Sequence, residues 1–112
     1  MTIIDVYVKK EIEVPDSVTI KGVTSKVDWC GDLDFDEEYT YSYYSCHVGG
    51  DDIGVNDRDY EIRIYDQSSN GEVYIAAVVD NEIVEDCYVR ADSSPVKIAI
   101  RSLEKLLNEY KE

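Results

Sequence analysis

Apolar and polar residues alternate along the start of the chain, which is the pattern of a β-strand with one face in the core. Between residues 3 and 14 the apolar residues of one parity are Ile4, Val6, Val8, Ile12 and Val14. This pattern predicts one long strand over 3–14. A turn signal at Pro15 and Asp16, followed by apolar alternation over 18–20, predicts a short second strand. We therefore expect an opening hairpin.

The same alternation returns in the second half of the chain. Tyr60, Ile62 and Ile64 predict a strand, and the next segment, EVYIAAVVD, is apolar on both faces, which favours a central position in a sheet. Asp80 and Asn81 tolerate positive φ and suit a tight hairpin, with EIVEDCYVR as the return strand. We predict three consecutive antiparallel strands here.

The C-terminal segment has the period of an amphipathic helix. Ser94 is placed to cap it and Pro95 to occupy its first helical position. The apolar stripe consists of Val96, Ala99, Ile100, Leu103, Leu107 and Tyr110. The sequence thus predicts one α+β domain over 1–112, a twisted antiparallel sheet of about five to six strands with one C-terminal amphipathic helix packed on it.

Composition supports a folded chain and restricts its partners. The 112 residues are 44% hydrophobic, and 25 acidic against 11 basic residues leave a net charge of −14. Such a charge repels nucleic-acid phosphates and anionic lipid, so we expect no direct nucleic-acid binding and no membrane binding. Three widely spaced cysteines without a C-x-x-C pair favour reduced thiols, and the start of the chain resembles no signal peptide, so we expect a cytoplasmic protein.

Negative charge is concentrated in residues 28–57, which contain nine acidic residues and no lysine or arginine. Within this segment, one parity carries Leu33, Phe35, Tyr39, Tyr41 and Tyr43, and the other carries Asp32, Asp34, Asp36 and Glu38. An extended chain would therefore have an aromatic face and an acidic face. Tyr44 has the acidic parity, which argues against a core position. Residues 47–57 have the composition of an exposed loop.

Catalytic and metal chemistry find little support in the sequence. The single histidine, His47, follows Cys46, but neighbours on a strand point to opposite faces, so we expect no catalytic pair and no enzyme. The cysteine and histidine spacings fit no zinc site. Asp32, Asp34 and Asp36 match the start of a calcium-binding EF-hand loop, but glutamate replaces its glycine and tyrosine its last carboxylate. We expect neither metal nor cofactor.

The predicted helix also carries Lys97, Arg101 and Lys105 at successive i,i+4 positions, opposite the apolar stripe. A solvated helix face explains this ridge. The functional alternative is a contact surface, either for a partner or for the acidic segment of a second copy. Self-association of the second kind would give a homo-oligomer.

Alternate carboxylates on a strand lie about 6.8 Å apart, which is close to the axial rise of two phosphates on a DNA strand. With its tyrosines, the acidic segment resembles the small acidic inhibitors that occupy nucleic-acid channels, including phage anti-restriction and anti-CRISPR proteins. The resemblance is one of class, limited to composition and about 30 residues. It implies an inhibitor or regulator of a basic nucleic-acid-binding protein that acts by phosphate mimicry.

The predicted partner-binding residues are Asp28, Asp32, Asp34, Asp36, Glu37, Glu38, Tyr41, Tyr43, Tyr44, Asp51 and Asp52. Tyrosines at these positions would anchor a partner, and the carboxylates would meet its basic groove. Two other functions are compatible with the same residues. One is a small-molecule or cation-binding domain with a tyrosine-lined pocket, and the other is an accessory protein that acts through oligomerisation.

Overall fold

The computed structural model describes residues 2–6, 10–30, 43–49, 58–65 and 71–110. In this part of the chain nine strands precede one helix. The strands are β1 (Thr2–Val6), β2 (Lys10–Val14), β3 (Ser17–Ile20), β4 (Val23–Lys26), β5 (Asp28–Cys30), β6 (Tyr43–Gly49), β7 (Asp59–Tyr65), β8 (Glu72–Val79) and β9 (Glu82–Arg90), and the helix is α1 (Ser93–Glu109). The α+β class with a C-terminal helix is confirmed.

The main sheet is an antiparallel meander in the order β5-β6-β7-β8-β9. As predicted, β7, β8 and β9 are consecutive antiparallel strands, and β8 lies between two partners. Asp80 and Asn81 form the β8–β9 turn with φ values of 51° and 66°, the left-handed conformation that such short hairpins require. A bulge beside Ala77 and Val78 shifts the β8–β9 register by one residue.

One face of this sheet, here called the helix face, packs against α1. Val96, Ile100 and Leu107 of the predicted apolar stripe are almost completely buried. They belong to a core that includes alternate residues of β6, β7 and β8, and Tyr110 packs against it at the end of the helix. The stripe therefore forms as the helical period predicted.

The start of the helix differs slightly from the prediction. The helix begins at Ser93 with Asp92 as its N-cap residue, so Ser94 is not the cap and Pro95 is not the first helical residue. The side chain of Asp92 makes no capping hydrogen bond. The hydroxyl of Ser93 instead accepts a hydrogen bond of 2.8 Å from the backbone N–H of Glu13. The first turn of the helix is thereby attached to β2.

The prediction of a single sheet with five to six strands is wrong, because the described strands form three sheets. Residues 3–14 are not one strand but the hairpin β1–β2, and β3 pairs with β4 rather than with the first strand. Ile4 pairs with Ile12, so even-numbered residues face the core on both β1 and β2. Alternation therefore continues unbroken through the reversal and resembles one long strand.

The predicted loop over 47–57 begins too early, because β6 continues through Gly49. Gly49 has φ 140°, and an added Cβ would lie 2.2 Å from the carbonyl oxygen of Arg58 on the neighbouring chain segment. Only glycine permits this close approach. The rest of that predicted loop, residues 50–57, lies outside the described residues.

Candidate functional site

Three residues of the predicted partner-binding set lie in the described part of the chain, namely Asp28, Tyr43 and Tyr44. Asp28 is exposed on β5, at one edge of the main sheet, and pairs with Ser45 of β6. The other members lie outside the described residues, and they are Asp32, Asp34, Asp36, Glu37, Glu38, Tyr41, Asp51 and Asp52. Their role in binding stays a prediction.

Tyr43 and Tyr44 lie on opposite faces of β6. Tyr44 shares its parity with buried Cys46 and packs against the core, so the expectation that it would avoid the core is wrong. The reason is its cross-strand neighbour Ile64, a buried residue of the helix face. Tyr43 points instead to the other side of the sheet, here called the outer face.

Tyr43 begins a row of four tyrosines that crosses the outer face from β6 to β9. The tyrosine row consists of Tyr43, Tyr65, Tyr74 and Tyr88. Successive ring centroids are 5.5, 5.2 and 5.0 Å apart and the rings are tilted by 41° to 44°. These separations are typical of favourable aromatic pairs, so each ring fixes the next. The result is a continuous aromatic surface.

The row ends at the acidic edge strand β9. Tyr88 is 63% exposed, whereas the other rings of the row are half-buried. The hydroxyl of Tyr74 donates a hydrogen bond of 2.8 Å to Asp86 on β9. Burial and the negative charge of Asp86 raise the pKa of Tyr74 well above its ordinary value, so this phenol stays protonated. Glu82, Glu85 and Asp86 are all exposed along this strand.

A buried polar cluster lies beside the row on the outer face. Oε1 of Glu61 accepts hydrogen bonds from the hydroxyl of Ser45, at 2.9 Å, and from Nε of Arg63. The guanidinium of Arg63 lies 4.9 Å from the ring centroid of Tyr43, a cation–π distance. Burial alone would lower the pKa of Arg63, but hydrogen bonds to Glu61 and Tyr65 outweigh it and raise that pKa. The arginine is thus a permanent, paired cation.

The only histidine and the cysteine before it do not form a catalytic pair. Cys46 is buried on the helix face, where burial raises its thiol pKa to about 12. His47 is exposed on the other side, with Nε2 3.7 Å from a carboxylate oxygen of Asp59. Burial, with the charges of Asp86 and Glu85, also raises the pKa of the half-buried Cys87. Neither described thiol forms a disulfide, and both stay protonated at neutral pH.

Within the described ranges, no group of three His, Cys, Asp or Glu side chains could hold a metal ion. The EF-hand-like aspartates lie outside those ranges, so the structure does not test them.

The basic ridge on α1 is partly engaged within the chain. Nζ of Lys97 lies 4.0 Å from a carboxylate oxygen of Glu13. Arg101 donates to Glu104, at 3.0 Å, and to the carbonyl of Ser17, at 3.4 Å. These contacts attach the helix to the β1–β2 and β3–β4 hairpins.

Sequence interpretation missed Tyr65, Tyr74 and Tyr88 as members of the site. Tyr65 has the polar parity of its predicted strand, but the sequence has no signal that brings Tyr74 and Tyr88 together. The acidic residues of β9 were also overlooked, because the denser run over 28–57 dominated the charge pattern.

The fold and this surface define a small α+β protein with an aromatic row that leads to an acidic sheet edge. No protein-family model, curated protein or solved structure matches the chain. The helix of the described part is too short and too polar to cross a bilayer.

Proposed function

We propose that this protein is a binding protein rather than an enzyme, and that it inhibits or regulates a basic nucleic-acid-binding protein by occupying the surface that the nucleic acid would use. The observation that carries the proposal is the exposed end of the tyrosine row at Tyr88, which shares the outer face of β9 with the carboxylate of Asp86. Tyrosine supplies a large, stiff contact area with little entropy to lose, which suits an interface anchor.

Charge supports the same class of partner. Asp86 shares the outer face with Tyr88, while Glu82 and Glu85 are exposed on the other side of the same edge strand. The whole chain has a net charge of −14. Such a surface attracts a groove rich in lysine and arginine and accelerates the encounter with it. The acidic segment around Asp34 would add further carboxylates for a basic partner, as the sequence pattern predicts.

A tyrosine-lined pocket receives less support than a flat interface. Neighbouring rings of the tyrosine row contact one another and leave no space between them for a ligand. The groove beside β9 is lined by residues of β9 and α1, and no tyrosine belongs to its lining. The row therefore presents an aromatic surface to a partner.

The experiment is affinity capture from a nuclease-treated lysate of the native host, followed by elution with duplex DNA, with RNA, or with salt. We expect the captured partner to bind nucleic acid by itself and to be released by that nucleic acid. Release should increase steeply with salt, because the contacts are ionic. Capture of a partner that nucleic acid does not displace would refute the mimicry.

Matched variants distinguish an effect of the charges on β9 from an effect of the net charge of the whole chain on partner capture. The variant Glu82→Gln with Glu85→Gln removes two negative charges from β9, and Glu11→Gln with Glu109→Gln removes two from exposed positions elsewhere. The first pair should weaken capture and the second should not. A further variant neutralises Asp32, Asp34, Asp36 and Glu38, and it should weaken capture while the protein stays folded. If the Glu82/Glu85 variant and the Glu11/Glu109 variant lost partner capture equally, a specific role for β9 would be contradicted.

A further inference from the structure

Strand β9 ends the main sheet and leaves a regular backbone edge open. It pairs with β8 on one side, and the described residues place no strand on its other side. The bulge next to Val84 interrupts the ladder, but Glu85–Arg90 pairs with β8 in unbroken register. A regular exposed edge of this length can accept a further strand.

The backbone groups that face outward can be assigned. The N–H of Asp86 donates to the side chain of Glu85, and the carbonyl of Arg90 accepts from the N–H of Asp92. In an antiparallel ladder the N–H and C=O of one residue lie on the same side, and the side alternates along the strand. Asp86, Tyr88 and Arg90 therefore direct their backbone groups away from β8, and Cys87 and Val89 direct theirs toward it.

An apolar groove runs beside this edge. It has a volume of about 490 Å³ and lies between Cys87 and Val89 of β9 and Pro95, Ile98 and Leu106 of α1. Ile98 is 71% exposed, although the helix buries its other large aliphatic residues much better. Side chains on one face of an added strand would enter this groove and cover Ile98.

Charge determines which strand can be added. Glu85 stands at the groove, and Asp86 and Tyr88 point to the outer face, so both sides of an added strand would meet a carboxylate. A second copy of this chain also carries a net charge of −14, and this shared charge opposes its approach to β9. An added strand with lysine or arginine side chains instead gains ion pairs, and a cation on the outer face can also lie over the Tyr88 ring.

We propose that β9 binds an extended segment of the partner as a sixth strand of the main sheet. The segment alternates apolar residues, which fill the groove beside Ile98, with lysine or arginine residues, which face Asp86 and Tyr88. This inference rests on the proposed function in taking the partner to be basic. It adds the binding mode, which is backbone pairing along Glu85–Arg90.

The test measures amide hydrogen exchange by NMR on the full chain, with and without a capped hexapeptide of alternating lysine and valine. We expect the amides of Asp86 and Tyr88 to exchange about tenfold more slowly with saturating peptide. The amides of Cys87 and Val89 already pair with β8 and serve as internal controls. A capped peptide of the same composition in block order, lysines then valines, should give no such protection. Unchanged exchange at Tyr88, or equal protection by the block peptide, would overturn strand addition.

Variants at exposed positions test the groove without threatening the fold. Ile98→Ser should weaken peptide binding about tenfold, since it removes most of the apolar area that an added side chain would cover. Ile3→Ser is the matched control, because Ile3 is 59% exposed on β1 and should leave binding unchanged. Equal binding by wild type and Ile98→Ser would refute the groove.

The failures of the two proposals are distinguishable. If Tyr88 stays unprotected while the captured partner is still released by nucleic acid, strand addition is wrong and mimicry survives. If the peptide protects Tyr88 while nucleic acid fails to release the captured partner, strand addition survives and mimicry is wrong.

Discussion

The phenol of Tyr74 donates a 2.8 Å hydrogen bond to Oδ2 of Asp86 across the β8–β9 pair. The two residues are diagonal neighbours on the outer face, because Tyr74 pairs with Tyr88 and Asp86 pairs with Ala76. The bond joins the half-buried part of the tyrosine row to the acidic edge strand. It also orients Asp86 while leaving the carboxylate exposed to a partner.

Alkaline titration should reveal this bond. The pKa of Tyr74 is raised above its ordinary value of 10.0, so the folded state holds the proton more tightly than the unfolded state does. Its contribution to stability is fully present below pH 10.0 and is lost progressively as the pH rises above it. Tyr74→Phe lacks this contribution. Urea unfolding should therefore show wild type and variant converging above that pH, and a constant difference would contradict the assignment.

The buried cluster on the outer face yields a second prediction. The side chains of Arg63 and Glu61 are only 13% and 9% exposed, so Arg63→Met leaves a buried carboxylate without its cation. Such a loss costs about 3–5 kcal/mol of unfolding free energy. The double variant Glu61→Leu with Arg63→Met removes both charges and should be more stable than Arg63→Met alone. Denaturant unfolding of wild type, Arg63→Met, Glu61→Leu and the double variant measures this, and additive losses would show that the pair is not coupled.

The sequence predicted the strands and the helix correctly where the spacing of apolar residues had a single clear period, either alternation or helical spacing. Ile62 and Ile64 on β7, and Ile100 and Leu107 on α1, face the core as alternation and helical spacing indicated. Strand pairing was harder to predict, because the antiparallel pairing of Ile4 with Ile12 keeps the even-numbered residues of both strands on one face. Hydrophobic pattern alone does not distinguish that hairpin from one strand.

The tyrosine row could not be derived from the sequence, because it depends on the bulge in β9. Without it, the two-residue turn at Asp80 and Asn81 would pair Tyr74 with Cys87. The extra residue shifts the register, so Tyr74 pairs with Tyr88 and their rings meet. Nothing in EIVEDCYVR marks a bulge as a glycine would. The burial of Glu61 was equally hidden, since it depends on Arg63 and Ser45 being in place.

Thiol chemistry offers a third prediction. Cys46 is buried, with its pKa raised to about 12, and Cys87 is half-buried, so alkylation of the native protein near neutral pH should modify Cys87 before Cys46. Cys46 should react only when the structure opens, at least about a hundredfold more slowly than in the unfolded chain. Mass spectrometry of digested protein assigns each site. Rapid modification of Cys46 without denaturant would contradict its burial on the helix face.

The helix is expected to be indispensable for folding, because it contacts both small hairpins as well as the main sheet. Near its end, the amide of Asn108 accepts from the N–H of Lys21 and donates to the carbonyl of Thr19, both at 2.8 Å, which fixes the β3–β4 turn. Both hydrogen bonds are exposed, so water can replace them in part, and Asn108→Ala should lower the unfolding free energy by about 0.5–1.5 kcal/mol in denaturant unfolding.

Truncation before Ser94 is the stronger form of the same test, and it should abolish cooperative unfolding. Val96, Ile100, Leu103 and Leu107 are buried against the sheet and hairpins, and each such side chain contributes about 1.5–3 kcal/mol, within a total stability of only about 5–15 kcal/mol. The matched control replaces Lys97, Arg101 and Lys105 with glutamine. It should change stability by less than about 1 kcal/mol, because exposed ion pairs contribute little. Calorimetry distinguishes the outcomes: a truncated chain that still melts cooperatively would mean that the apolar face of α1 is not needed by this fold, and would favour its docking on another subunit.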